Sequence, residues 1–219
     1  MIMRRELWMT IVATFLATLA GELDTVQGAE PLYRADFEKV EVDKEPEGLL
    51  ILQGSFNVKE AQGEKFLELP GAPLETFGFL FGPNEKAGVG ARARFYGTGK
   101  GRRFPTFALG LNGQSGFRLQ VSPSKKLLEL FKGEEEVVAS MPFTWESGSW
   151  TELMLQVVPV GTKWVVRGKA WKHGTTEPKD WSVTHEETVE PRSGQAAAFG
   201  SPYAGTPIRF DDLIVTRVE

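Results

Sequence analysis

Charged residues are plentiful in this chain, 29 acidic and 25 basic, yet few stand at spacings that chemistry requires. The densest acidic run, Glu134–Glu136 in "FKGEEEVV", reads as a solvated hairpin turn between two apolar strands. His173 and His185 flank the loop "WKHGTTEPKDWSVTH", too far apart and too unaccompanied for a zinc site, and are expected at the surface. The glycines of "YGTGKGRRF" invite a phosphate-loop reading. That loop needs Gly-Lys-Ser/Thr opening a helix, whereas here Gly-Lys-Gly runs into Arg102, Arg103 and a strand, so Lys100–Arg103 reads as a basic hairpin tip. The absence of cysteine excludes disulfides, thiolate metal sites and a cysteine nucleophile. No catalytic residue is assigned.

A polar set with aromatic company remains: Arg92, Arg94 and Tyr96 in one segment, Asn112 at the end of another, Arg118 and Gln120 in a third, Lys169 and Trp171 in a fourth. Sugars are held by aromatic platforms with directional donors and acceptors, so these eight could line a glycan groove. Arginine binds carboxylates in bidentate fashion, which would admit an acidic glycan. The same residues could also form a solvated sheet face laced with cross-strand pairs.

The elements that must position them are strands. Apolar and polar residues alternate with period two, broken by Gly, Pro, Asn and Asp every eight to twelve residues. In "VGARARFYG", Val89, Ala91, Ala93 and Phe95 share one side and Arg92, Arg94 and Tyr96 the other. "GFRLQVS" sets Phe117, Leu119 and Val121 against Arg118 and Gln120, and "WVVRGKAW" sets Val166, Gly168 and Ala170 against Arg167, Lys169 and Trp171. "WTELMLQVV" and some eleven further short segments read the same way. That many strands must stack as two sheets or close into a barrel. The expectation is an all-β protein: a two-sheet antiparallel β-sandwich in one domain, residues 30–219. Trp150, Trp164 and Trp181 are expected to fold over the core edge.

Residues 1–29 pair Arg4 and Arg5 with an uncharged run from Leu7 to Gly21 and small residues near Ala29, the order of a secretory signal. The run is shorter than the ~20 residues of a membrane span, so export to the periplasm or exterior of a bacterium is expected, with no span after cleavage. Loss of this segment moves the net charge from −4 to −3, a balance that gives no reason to seek nucleic acid.

The spacing W-x-x-L-x-L-x-V from Trp150, "GKAW" at Gly168–Trp171, "EPKDW" at Glu177–Trp181, a Gly-bearing strand at Gln195–Gly200 and the final "FDDLIV" resemble the C-terminal half of concanavalin A-like lectin/glucanase domains. The laminin-G-like jelly rolls of exported bacterial proteins are the nearest group. The resemblance implies a jelly roll whose first and last strands lie side by side, bringing "ADFEK" near "FDDL". Such ends often hold calcium, here through Asp36, Glu38 and Asp211. The alternative is that Asp211 caps a loop by accepting backbone N–H bonds, and the scarcity of oxygen ligands favours it. The glucanases of the superfamily carry E-x-D-x-x-E on one strand, because retaining hydrolysis needs carboxyls about 5–5.5 Å apart; that pattern is absent here. Its lyases bring arginine, histidine and tyrosine together, and no strand here offers a histidine among polar neighbours. The resulting expectation is an exported non-catalytic jelly roll binding carbohydrate or another envelope ligand on its concave sheet. A 3-keto-disaccharide hydrolase-like enzyme and a structural or protein-interaction domain of the envelope are the alternatives.

Overall fold

The computed structural model describes residues 30–71 and 75–218; the signal peptide expected over residues 1–29 lies outside them. Fifteen strands follow one another: β1 (Tyr33–Ala35), β2 (Leu49–Gln53), β3 (Asn57–Ala61), β4 (Glu64–Leu69), β5 (Phe77–Glu85), β6 (Val89–Tyr96), β7 (Thr106–Leu111), β8 (Phe117–Ser122), β9 (Leu127–Lys132), β10 (Glu136–Pro142), β11 (Trp150–Val160), β12 (Lys163–Lys172), β13 (Val183–Glu187), β14 (Gly194–Ser201) and β15 (Ile208–Arg217). Among the described residues there is no helix, and so none long and apolar enough to cross a membrane. Every strand expected from the sequence forms. β1 is shorter than its alternation suggests because Phe37 turns the chain with a φ of 56° and drops its ring into the core.

All pairings are antiparallel. An eight-stranded sheet runs β13-β12-β11-β6-β15-β4-β3, with β1 also on β15, and a seven-stranded sheet runs β10-β9-β8-β7-β14-β5-β2. The first and last strands are neighbours, Ala35 opposite Leu213 and Tyr33 opposite Val215. β1 and β4 share one edge of β15, while β6 holds the other. The β11–β12 hairpin closes on two residues, and its first, Gly161, takes the φ of 62° that such a tight turn needs.

Period two then sorts each strand into an inner and an outer face. Inner residues of both sheets meet in one core, where Phe95 of β6 stacks on Phe107 of β7 at 5.2 Å, and Phe210 of β15 lies 5.5 Å from both Phe79 and Phe95. Burial of the apolar set therefore fixes which polar residues face outward, and on which sheet.

Candidate functional sites on the two outer faces

The eight expected ligand residues do not form one groove. Arg92, Arg94, Tyr96, Lys169 and Trp171 lie on the outer face of the eight-stranded sheet, Arg118 and Gln120 on the outer face of the seven-stranded sheet, and Asn112 at the rim after β7. Alternation assigns a residue to one side of its strand but does not say which sheet the strand joins; the joint groove is corrected on that ground.

On the eight-stranded sheet, strand register places Asp211, Arg94, Glu152 and Trp171 side by side across β15, β6, β11 and β12. Arg94 donates to Asp211 at 2.6 Å and lies 3.6 Å from Glu64. The Asp212 carboxylate is 3.0 Å from Arg94 Nε, off the hydrogen-bond direction. A β-bulge between Asp211 and Ile214, with Asp212 at a φ of 49°, lets consecutive aspartates of one strand reach the same arginine. The paired aspartates of "FDDL" are thus a bulge built round Arg94. One row on, Arg92 donates to Glu152 at 3.0 Å and to Glu177 at 3.4 Å, while Lys169 pairs with Glu177 at 2.6 Å and donates to the Pro178 carbonyl at 2.7 Å. The β12–β13 loop thereby folds back over the sheet. The indoles line this face: Trp150 stacks against Arg94, Trp171 against Arg92, and Trp181 against Arg167 and Lys169.

Burial pushes the Asp211 carboxyl up to about 7, against the lowering pull of the Asp212 N–H and of Arg94. For Arg94, burial works against the charge, but Asp211, Asp212 and Glu64 together raise its pKa. The expectations for Trp150, Trp181, His173 and His185 are corrected here. Trp150 and Trp181 serve the outer face rather than the core edge, since β11 places Trp150 in phase with Glu152 and the loop lays Trp181 on the cations. His173 is not unaccompanied: its Nδ1 lies 2.6 Å from Glu152 Oε1 and its Nε2 3.5 Å from Arg94. Glu152 shows no signal in the sequence beyond its phase with Met154 and Gln156, so the contact was invisible there. His185 is also less superficial than expected, three-quarters buried beside Phe117.

The carboxylates named as possible calcium ligands, which the capping reading disfavoured, each accept hydrogen bonds from the protein. Asp211 Oδ2 faces Arg94 and Oδ1 accepts the Asp212 N–H at 2.7 Å, Glu38 Oε1 accepts the Lys65 N–H at 3.0 Å, and Asp36 accepts the Glu38 N–H at 3.4 Å. Among the described residues no three His, Asp or Glu side chains gather to hold a metal. Arg94 supplies the positive charge beside Asp211.

The seven-stranded sheet has a different outer surface. Its register gives one row of Gly78, Phe199, Ala108, Gln120 and Glu129, and a second of Leu80, Ala197, Gly110, Arg118 and Phe131. The small residues let Phe199 lie flat: a Cβ on Gly78 would come within 2.5 Å of its ring, and one on Gly110 within 3.3 Å. Arg118 spans from Phe131, 4.7 Å away, to Phe199, 5.8 Å away, and donates to the Glu134 carbonyl at 2.8 Å. Its Nε has no partner, and burial lowers its pKa. Gln120 is turned along its own strand to Ser122, whose hydroxyl donates to the buried Glu129 at 2.6 Å. Arg118, Phe199, Gln53, Thr76, Gln114 and Glu134 line an open cleft of about 410 Å³.

No family model matches the chain, and no curated protein matches its sequence. Solved structures do match. The carbohydrate-binding module CBM66 from Bacillus subtilis is 14% identical with a TM-score of 0.53, over 77% of this chain and 95% of that one. The carbohydrate recognition domain of Emp46p is 10% identical with a TM-score of 0.60, over 87% and 98%. The fold is the concanavalin A-like jelly roll. Winged bean acidic lectin, solved with methyl-alpha-D-galactose, agrees at a TM-score of 0.53 and 12% identity, over 84% and 97%. At these identities the likeness concerns architecture, and the residues above carry any statement about chemistry.

Proposed function

We propose that this jelly roll is an exported, non-catalytic carbohydrate-binding domain whose glycan lies in the cleft on the seven-stranded sheet. One observation carries the reading: Arg118, laid between two phenyl rings and bonded only to the Glu134 carbonyl, lines an open cleft edged by Gln53, Gln114 and Thr76. Amide, hydroxyl and guanidinium groups gathered around the largely covered Phe199 ring offer the directional donors and acceptors that sugar hydroxyls need. The similar solved structures include carbohydrate-binding modules and lectins, which supports the ligand class. Glu134 and Glu135 stand at the cleft, so a neutral glycan fits better than an acidic one. Export rests on the signal-like order of residues 1–29.

A glycan array with the mature chain tests this. We expect binding to a set of neutral glycans, weakened ten- to a hundredfold by Arg118→Ala, or ~1–3 kcal/mol. Absence of binding to every glycan, or equal binding by the variant, would overturn the reading. A second reading as an enzyme is favoured by the contact of half-exposed His173 with buried Glu152 beside Arg94, an arrangement that can hold an imidazole as a general base. Turnover of glycosides, lost in His173→Ala, would select it.

A further inference from the structure

On the other side of the β7–β8 loop from the cleft lies a separate cavity of about 240 Å³, at the rim where that loop meets the segment after β13. Asn112, Phe117, Lys132, Glu187, Val189 and Arg192 line it. Asn112 is held in the left-handed region with a φ of 65°, and its Nδ2 is fastened to the Glu85 carbonyl at 3.1 Å and the Lys86 carbonyl at 2.7 Å. This double anchor leaves Oδ1 buried with no donor among the described residues, on a side chain more than nine-tenths covered. A buried acceptor without a partner is uncommon and calls for one. Strained backbone of this kind also concentrates where ligands bind.

The walls say what the partner is. Phe117, Val189 and Pro191 offer carbon surface. The four charged lining residues, Lys132 and Arg192 against Glu187 and Glu190, sum to zero, with Lys132 paired to Glu187, so the lining selects no net charge. Glu187 is fixed by the N–H groups of Thr188 and Val189 at 2.8 and 3.0 Å. A volume of about 240 Å³, well above the ~10–15 Å³ that admits a single water, has room for one ring. We infer that the rim cavity is a second binding site, for a single neutral, hydroxyl-bearing ring of monosaccharide size, one of whose hydroxyls donates to Asn112 Oδ1. The site stands apart from the cleft: Gln114 faces the cleft, whereas Asn112 and Ser115 face the cavity.

Free neutral hexoses, pentoses and N-acetylhexosamines, titrated singly into isotope-labelled protein, provide the probe. The expected result is saturable movement of the Gly113, Ser115 and Val189 backbone signals and of the Asn112 side-chain amide by at least one sugar. Val189 is two-thirds exposed at the cavity mouth, so Val189→Trp plugs the entrance with little effect on folding and should weaken that sugar at least tenfold. Arg118→Ala should leave it unchanged, which separates this inference from the cleft reading. Rim signals that respond to no sugar, or equal affinity in a folded Val189→Trp variant, would overturn it.

Discussion

On the eight-stranded sheet Arg94 meets Asp211, Asp212 and Glu64, whereas on the seven-stranded sheet Arg118 meets two phenyl rings and a single carbonyl oxygen. Both are strand arginines pointing away from the core, and both lie against aromatic rings. They differ in whether their donors are already engaged. Arg92, Arg94 and Lys169 each have a carboxylate partner, and the β12–β13 loop contributes one of these through Glu177. A ligand there would have to break existing pairs. Facing the other way, Arg118 is held by a carbonyl oxygen and not by a carboxylate, and it lines an open cleft where a ligand can meet the guanidinium without breaking an ion pair. Residue type marks both arginines as binders; only the partners distinguish a fastening from a site.

The comparison is broken most directly at Arg94. Asp211 is 1% exposed, and removal of its partner leaves a buried carboxyl that must either carry an uncompensated charge or take up a proton. Arg94→Ala should lower the unfolding free energy by about 3–5 kcal/mol in a denaturant titration. A loss near zero would mean that the buried pair is not what holds β6 and β15 together.

The pH dependence of stability offers a second approach. The folded state holds a proton on Asp211 up to about 7, against 3.8 when unfolded, so it binds that proton more tightly than the unfolded chain does. The contribution of Asp211 is therefore greatest at low pH and declines as pH rises from about 4 to about 7, at no more than about 1.4 kcal/mol per pH unit. Glu187 behaves in the opposite sense: the bond from Lys132, then the Val189 and Thr188 N–H groups, hold it at about 2 against 4.5, and its contribution declines as pH falls through that interval. Melting curves of Asp211→Asn should lose the neutral-side slope, and those of Glu187→Gln the acid-side one.

Arg118→Ala provides the matching change on the open face. No carboxylate is stranded by it, so the loss should be about 1 kcal/mol of stability from stem and ring packing, well below that of Arg94→Ala. A loss as large as that of Arg94→Ala would make Arg118 another fastening and would remove the case for the cleft.

How far the sequence anticipates this follows from the physics of the two periods involved. Alternation along one strand is local, and it sorted Phe95 from Arg94 and Phe117 from Arg118 correctly, because burial of the apolar side decides it. The neighbour relation of β1 and β15 was implied by the family resemblance and is seen. The order of strands across a sheet is non-local, and with it the partners of each outward residue. Nothing near Arg94 announces Asp211, which lies 117 residues away, or near His173 that Glu152 would stand behind it. Phe199, in a run that reads as an ordinary core strand, becomes the cleft floor only because Gly78 and Gly110 arrive beside it from other strands.

At Tyr96 the smallest effect is expected in glycan affinity. It alternates with Phe95 like a ligand residue, and its ring lies 5.5 Å from Trp150 with Arg209 5.0 Å above it. It is thus part of the layer that covers the eight-stranded sheet, on the opposite side of the sandwich from the cleft. Replacing it by Ala removes one aromatic pair and one cation–π contact, each worth about 0.5–1.5 kcal/mol, so Tyr96→Ala should lower stability by about 1–3 kcal/mol. Glycan affinity, measured by titration calorimetry on the folded variant, should stay within twofold of wild type, because no partner of Tyr96 reaches the seven-stranded face. A tenfold loss of affinity in folded Tyr96→Ala would move the site to the eight-stranded sheet and reverse the assignment of the two faces.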